Sequence, residues 1–254
     1  MMRILVTNDD GIFAPGLAAL EQQMRHLGEV FVAAPATEQS GVGHSITYLT
    51  PLTAKSIHRD GRHWGWAVNG SPADCVKLAI GELFKDNPID LVVSGINSGL
   101  NSGINVLYSG TVAAAIEGAF FGVTSVAVSL EYDEDADYQT AAVIARNVVR
   151  GIVNQPESKG RLFNLNIPTA ATDAPQDLKV VPMGLDQYGR TYEKRRDPHG
   201  RDYYWALWSA PDHPPPAEAD VTELRKGNVT LTPLQFNLTE PKLLKSMQSW
   251  NLKV

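Results

Sequence analysis

A single cysteine, Cys75, is all the thiol the chain carries, so no internal disulfide framework exists and a reducing compartment is compatible with it. Long apolar runs are missing as well. Nothing approaches the roughly 18 uninterrupted apolar residues of a membrane-crossing helix, and the opening MMRILVTNDDG has no cleavage-like end. The expectation is a cytoplasmic chain with no membrane partner. There is no basic excess: 22 Lys and Arg face 28 Asp and Glu, a formal charge of −6. A broad footprint for stable binding of duplex nucleic acid is therefore absent. No G-x-x-x-x-G-K-[ST] phosphate loop occurs, which disfavours ATP or GTP hydrolysis. No G-x-G-x-x-G follows the first strand-like run, which gives a nicotinamide cofactor little weight.

What is present is a 43% hydrophobic share of 254 residues, enough for one sizeable core or one large domain with an appendage. Short apolar runs alternate with helical patterns. RILVT (3–7), EVFVAA (29–34), LTAKSI, WGWAV, DLVVS (90–94), TSVAVSL, LFNLNI and LKVVPM read as strands. Helices are expected from Pro15, from Pro72, over 110–122 and over 137–150, the third rich in small residues that let a helix sit tightly on a sheet. This alternation predicts an α/β fold with a Rossmann-like, mostly parallel sheet and flanking helices. Cys75, in ADCVKLAI, reads as a packed thiol on a helix face.

From Gly184 the texture changes, which divides the chain into a core over 1–183 and a region over 184–254. The second region contains two strand-like pieces around DPHG, read as a long hairpin, then a Pro-rich break over Asp212–Pro216 holding His213. Further on come a short helix over Ala217–Arg225, the strand NVTLTPL and a helical tail. That tail has Leu243, Leu244, Met247 and Trp250 on one side and needs a surface to cover. The acidic run EYDEDAD (131–137) lacks EF-hand spacing and reads as a solvated turn. Lys194, Arg195, Arg196, His199 and Arg201 read as a solvated or subunit-pairing group, with a polyanion site as the alternative.

Open α/β sheets place ligands beyond the carboxyl ends of their strands, and three polar, Gly-containing segments occupy that position. In the first, NDDG, Asp9 and Asp10 are adjacent, and Gly11 permits a turn that brings both toward one place. Two neighbouring carboxylates repel; a bound cation relieves them, or a raised pKa on one does, and a plain helix cap or turn is the alternative for NDDG alone. Ser40 in EQSGVGHS and the asparagines behind DLVVS add hard oxygen donors, a set suited to Mg²⁺ or Mn²⁺, with Ca²⁺ as another bound ion. SGINSGLNSGIN (94–105) writes Ser-Gly-apolar-Asn three times. Its glycines cost a helix about 1 kcal/mol each relative to alanine, so the stretch reads as a loop. Asn97, nearest the strand, is the metal-ligand choice, Asn101 a substrate or phosphate donor, and Asn105 a support; structural Asx-turns throughout are the alternative. Ser109 and Thr111 stand at the start of the next helix, where free N–H groups and the positive dipole end make a phosphate seat, although a plain helix cap explains Ser109 equally well.

The runs TNDDG-(3)-PG, APATEQSGVGHSIT, NGSPADCVKLAI and DLVVSGINSGLNSG…YSGTVAAAIEG closely resemble the SurE family, metal-dependent survival-protein nucleotidases also called 5′/3′-nucleotidases. These motifs span residues 3–129; the rest matches more loosely, notably in RKGNVTLTPL. The resemblance implies a Rossmann-like core, one divalent cation per subunit and hydrolysis of nucleoside monophosphates, with some members acting on short polyphosphate or RNA 3′ phosphates. It implies Asp9, Asp10, Ser40 and Asn97 as metal ligands and Ser109, Gly110 and Thr111 as the phosphate side. It also implies homodimers or homotetramers joined by an extended hairpin, here around 186–208, and an exchanged C-terminal segment. Ser71 stands where the family usually has threonine and Thr124 where it often has proline; neither is a proposed ligand.

The expected reaction is phosphomonoester hydrolysis in which Asp9 and Asp10 fix the cation and one of them orients or deprotonates water. An aspartyl-phosphate intermediate is the alternative. His44 is a candidate proton donor to the leaving oxygen, with a structural role as its rival, and Tyr108 is a candidate base-stacking aromatic. Two other functions fit the same residues: a phosphatase for another small ester or polyphosphate, and a nucleotide-binding regulator without turnover.

Overall fold

The computed structural model describes residues 1–185, 191–207 and 216–253, so the beginning and end of the expected 186–208 hairpin and His213 lie outside the described residues. In chain order the elements are β1 (Arg3–Thr7), α1 (Pro15–Met24), β2 (Glu29–Pro35), β3 (Ala54–Arg59), β4 (Arg62–Val68), α2 (Pro72–Leu78), β5 (Leu91–Ser98), α3 (Gly110–Phe120), β6 (Thr124–Leu130), α4 (Tyr138–Val153) and β7 (Leu162–Ile167). Then follow α5 (Ala170–Asp173), β8 (Leu178–Val180), β9 (Thr191–Arg196), β10 (Asp202–Leu207), α6 (Asp220–Arg225), β11 (Val229–Leu234) and α7 (Pro241–Met247).

Among the described residues, nine strands join in the order β3-β4-β2-β1-β5-β6-β7-β11-β8. Pairing is parallel from β4 through β7, and antiparallel only between β3 and β4 and between β7 and β11. The strands are apolar runs because both sheet faces are covered. Ile4 and Val6 of β1 pack with Leu17, Leu20 and Met24 of α1 and Ala145 and Val149 of α4. Leu5, one residue out of phase, packs on the other face with Val76 of α2 and Ala114 of α3. The small residues of α3 do let it sit close: a Cβ at Gly118 would lie 2.5 Å from Ser125 Oγ. The mixed α/β fold with a mostly parallel sheet is thus as expected.

The chain runs outward from β1 to β2 and β4, then returns to the other side of β1 to lay down β5, β6 and β7. That reversal opens a crevice beyond the carboxyl ends of β1 and β5, the usual ligand position of such sheets. One expectation there is corrected. The first Ser-Gly-Ile-Asn unit is strand, because β5 resumes pairing with β6 at Asn97 and Ser98 after an irregularity following Ser94. Gly95 makes the detour feasible with φ +144°, a conformation that side chains rarely adopt. A Cβ there would sit 2.3 Å from Val128 O. The third unit enters a short 3-10 turn over Gly103–Leu107, so the true loop is brief.

Residues 184–254 contribute to this same sheet, since β11 fills the place between β7 and β8. Buried Asp220 fastens α6 beneath the brief loop, accepting from Gly103 N and Gly184 N, both at 2.9 Å. The β9–β10 hairpin forms as expected, and its cations are paired within it: Lys194 and Arg196 with Asp202, Arg195 with Glu193, Arg201 with Asp197. This leaves little for a polyanion. In the acidic run, Asp137 caps α4 through Thr140 N and Glu131 accepts from Thr169, so both ends of the expected solvated turn carry structure. Cys75 is buried, and burial followed by the charge of Asp74 pushes its thiol well above the ordinary value. Among the described residues no helix is long and apolar enough to cross a membrane.

Gly16, on the first turn of α1, lies so near β5 that a Cβ would stand 2.2 Å from Ile96 O. Gly16→Ala is expected to lower stability by about 2–3 kcal/mol through this overpacking, read from the midpoint of urea unfolding.

Candidate active site

At the end of β1, Asn8 closes the NDDG turn on itself, donating from Nδ2 to Gly11 O at 3.0 Å and accepting Gly11 N–H at 3.2 Å. Gly11 takes φ +101°, a left-handed conformation that a side chain would resist. Ile12 N–H then donates to Pro35 O at 2.8 Å, which ties the turn to the end of β2. Asp9 is only 3% exposed and accepts the Thr111 hydroxyl on Oδ1. This seating needs Gly110, where a Cβ would come within 2.8 Å of Asp9 Cβ. Asp10 turns the other way and accepts Ser98 N–H at 3.2 Å, so one carboxylate is held by α3 and its neighbour by β5.

Both carboxyls are pushed up. Burial is the main cause at Asp9, opposed by its bonds from Thr111. At Asp10, burial and then the charge of Asp9 raise the pKa to about 6. Glu38 adds to both shifts and is a participant that the sequence did not single out. Its only signal was a position two residues before Ser40. The Ser40 hydroxyl donates to Glu38 Oε1 at 2.6 Å, leaving its lone pairs for a further partner.

Asn97 stands at the carboxyl end of β5, and its Nδ2 donates to Gly99 O at 2.6 Å, which leaves Oδ1 as its remaining acceptor. Asn101 is buried in a polar network: its Nδ2 donates to Ser129 Oγ at 2.9 Å, its N–H to Asn166 Oδ1 at 2.8 Å, and its carbonyl accepts from Asn164 at 2.7 Å. Its amide donor thus already serves the protein. Asn105 turns the chain by accepting Tyr108 N–H on its carbonyl. Ser109 is the N-cap of α3, accepting Val112 N–H at 3.1 Å, while the Thr111 hydroxyl serves Asp9. Tyr108 is well exposed beside them.

His44 lies within the segment between β2 and β3, with Nε2 2.9 Å from Glu117 Oε2 and its ring stacked on Phe120. Ser71 keeps the hydroxyl expected of threonine: it caps α2 at Asp74 N and donates to Ser45 O at 2.6 Å. Burial pushes the Asp74 carboxyl up, but bonds from Thr47 and Ser71 outweigh it and hold it below the ordinary value. A cavity of about 1030 Å³ lies elsewhere, between α4 and strands β7, β8 and β11, and is lined by none of these residues.

The pair fits a hard cation. No described Lys, Arg or His forms an ion pair with Asp9 or Asp10, so their mutual repulsion has no basic side chain to relieve it. Nor do three or more His, Cys, Asp or Glu among the described residues form a cluster able to hold a metal. Two carboxylates with neutral hydroxyl and amide oxygens remain, a donor set of the kind that retains water and phosphate on Mg²⁺ or Mn²⁺.

The family model described as Survival protein SurE matches residues 4–190. The chain belongs to the SurE family. A relative from Rhodopirellula baltica, named 5′-nucleotidase SurE, is 74% identical over 99% of this chain and all of its own length. One of the same name from Syntrophomonas wolfei is 42% identical over 96% of this chain and 92% of its own. The crystal structure of a SurE protein from Aquifex aeolicus superposes with a TM-score of 0.84 at 36% identity, covering 97% of this chain and 98% of that one.

In the protein without a bound cation, the raised Asp10 works against the fold once it ionises. Its contribution is fully present below about pH 4 and is lost as pH rises through about 6. Because Asp10 is partly exposed, the loss is discounted for solvent screening to roughly 2 kcal/mol. Unfolding in urea at pH 4.5 and 7.5 is expected to show this fall in wild type, and Asp10→Asn is expected to remove that component.

Proposed function

We propose that this chain is a divalent-cation-dependent phosphomonoesterase that hydrolyses nucleoside 5′-monophosphates, and also 3′-monophosphates, to nucleoside and phosphate. The observation that carries it is the adjacent Asp9–Asp10 pair at the sheet's switch point, next to the amino end of α3, with Asp9 raised mainly by burial and Asp10 by burial and then the charge of Asp9. The name 5′-nucleotidase of the relatives supports the substrate class.

Asp9, Asp10, Ser40 and Asn97 would hold one Mg²⁺ or Mn²⁺, with Ca²⁺ as an alternative occupant. When bound, the cation supplies charge for the phosphate oxygens and lowers the pKa of water. Asp9 is fixed by Thr111 and nearly buried, which favours a holding role over nucleophilic attack and so direct water attack over an aspartyl-phosphate. Asp10 would orient water or take its proton, a role its greater openness supports. The phosphate faces Ser109, Gly110 and Thr111, where the dipole of an eleven-residue helix favours an anion. Asn101 acts on substrate through the loop it anchors, and Tyr108 offers an exposed ring to a base.

Residues 1–183 form the catalytic core in this proposal, and the C-terminal region joins copies into a homodimer or homotetramer. The support is exposed apolar surface: α7 has no buried residue, and Leu243, Leu244, Met247 and Trp250 stand open. Leu244→Glu with Met247→Glu is expected to reduce the mass measured by light scattering while leaving the circular dichroism of the core unchanged.

The test of activity is phosphate release by metal-stripped protein, with Mg²⁺ or Mn²⁺ restored, from 5′- and 3′-monophosphates, sugar phosphates and short polyphosphate. Cation-dependent release strongest with mononucleotides is expected, and Asp9→Asn should lose most of it, by a factor of at least about 10². Release from the other esters alone would replace the nucleotidase reading, and release from none would point to a regulator without turnover.

A further inference from the structure

Glu117 is a buried carboxylate on α3 that the proposed reaction does not use. An ionised carboxylate in the interior is costly unless paired, and a methionine or glutamine would fill the same space more cheaply. Its partners explain its presence. His44 Nε2 faces Oε2 at 2.9 Å, and Lys77 Nζ of α2 lies 3.7 Å from Oε1. The His44 ring lies flat on Phe120, one turn further along α3, with centroids 5.3 Å apart, and Phe236 closes the outer side of Phe120 edge-on at 4.6 Å.

The 38–47 loop has no buried residue of its own, so apolar packing does not hold it. Polar anchors do. Gln39 N–H donates to Asp9 O at 2.8 Å, Gly43 N–H to Tyr108 O at 3.0 Å, and Thr47 is held by Asp74. Between these ends, His44 is the loop's side-chain bond to α3. Thr111 and Glu117 are six residues apart on one helix, about 9 Å along its axis. The same rigid element therefore grips Asp9 at one turn and the loop bearing Ser40 two turns later.

We infer that Glu117 is a positioning residue: through His44 it clamps the 38–47 loop to α3 and so sets Ser40 relative to Asp9. This rests on the metal-dependent reading only for its cation and turnover arms. His44 acts here as the clamped partner, its Nε2 given to Glu117.

The experiment compares wild type with Glu117→Met, which deletes the acceptor, and Glu117→Gln, whose amide oxygen still accepts from Nε2–H. Amide hydrogen exchange on metal-free protein should quicken over 39–44 in Glu117→Met, with the sheet protected as in wild type. Calorimetric Mn²⁺ affinity should fall about tenfold, a size typical of residues that orient a metal's ligands. Turnover of a nucleoside monophosphate should fall likewise and recover at saturating Mn²⁺, with an unchanged pH profile, and Glu117→Gln should restore most of each loss. Unchanged loop exchange in Glu117→Met overturns the clamp, as does a loss of thermal stability with cation affinity intact. A shifted pH profile would instead make Glu117 the orienter of a proton-donating His44. If wild type neither binds Mn²⁺ nor releases phosphate, the nucleotidase reading falls and the exchange result still decides the clamp.

Discussion

Placing a carboxylate out of reach of water is expensive, and at Asp9 a second acid follows directly along the chain. The fold offsets part of this by giving each group a different holder. Asp9 receives a hydroxyl from the first turn of α3, and Asp10 receives a backbone N–H from the end of β5. The remainder stays as raised pKa values on both. A site that keeps two acids under such tension is one in which a cation gains the most by binding. Gly110 then becomes obligatory, because only a residue without a side chain lets α3 approach Asp9 so closely.

Topology explains why these groups meet at all. Asp9, Ser40 and Asn97 follow or end three different strands, β1, β2 and β5. Those strands lie side by side in the order β2-β1-β5, so their carboxyl ends converge on one crevice. α3 follows β5 and brings its positive end to the same place. Chain reversal at β1 is therefore the source of the crevice, the usual ligand position of such sheets, and its loops stand on a rigid base.

Much of this was legible in the sequence for simple physical reasons. Apolar runs stopped by Pro or Gly mark the strands, Pro15 and Pro72 open helices, and NDDG announces a turn bearing acids. What escaped depends on contacts between distant residues. The irregular continuation of β5 through Asn97 depends on pairing with β6, and local glycine content argued for a loop instead. Asn101 looked like a ligand donor by residue type, yet Asn164 and Asn166 of β7 engage it from more than sixty positions away. Nothing in the sequence singles out Glu38 or Glu117, because nothing local tells that one adds its charge beside an aspartate pair and the other faces a histidine.

The C-terminal arm raises a question of stability that its own residues do not answer. A seven-residue helix is too short to persist in water on propensity alone, and α7 buries nothing. The described contact that fastens the arm near its start is Phe236 on Phe120. Phe120 in turn carries the ring of His44, so the point where the arm leaves the body is also a point where α3 meets the Ser40 loop. In the proposed assembly, a copy that covers α7 would sit on the arm whose start packs against the helix that seats Asp9.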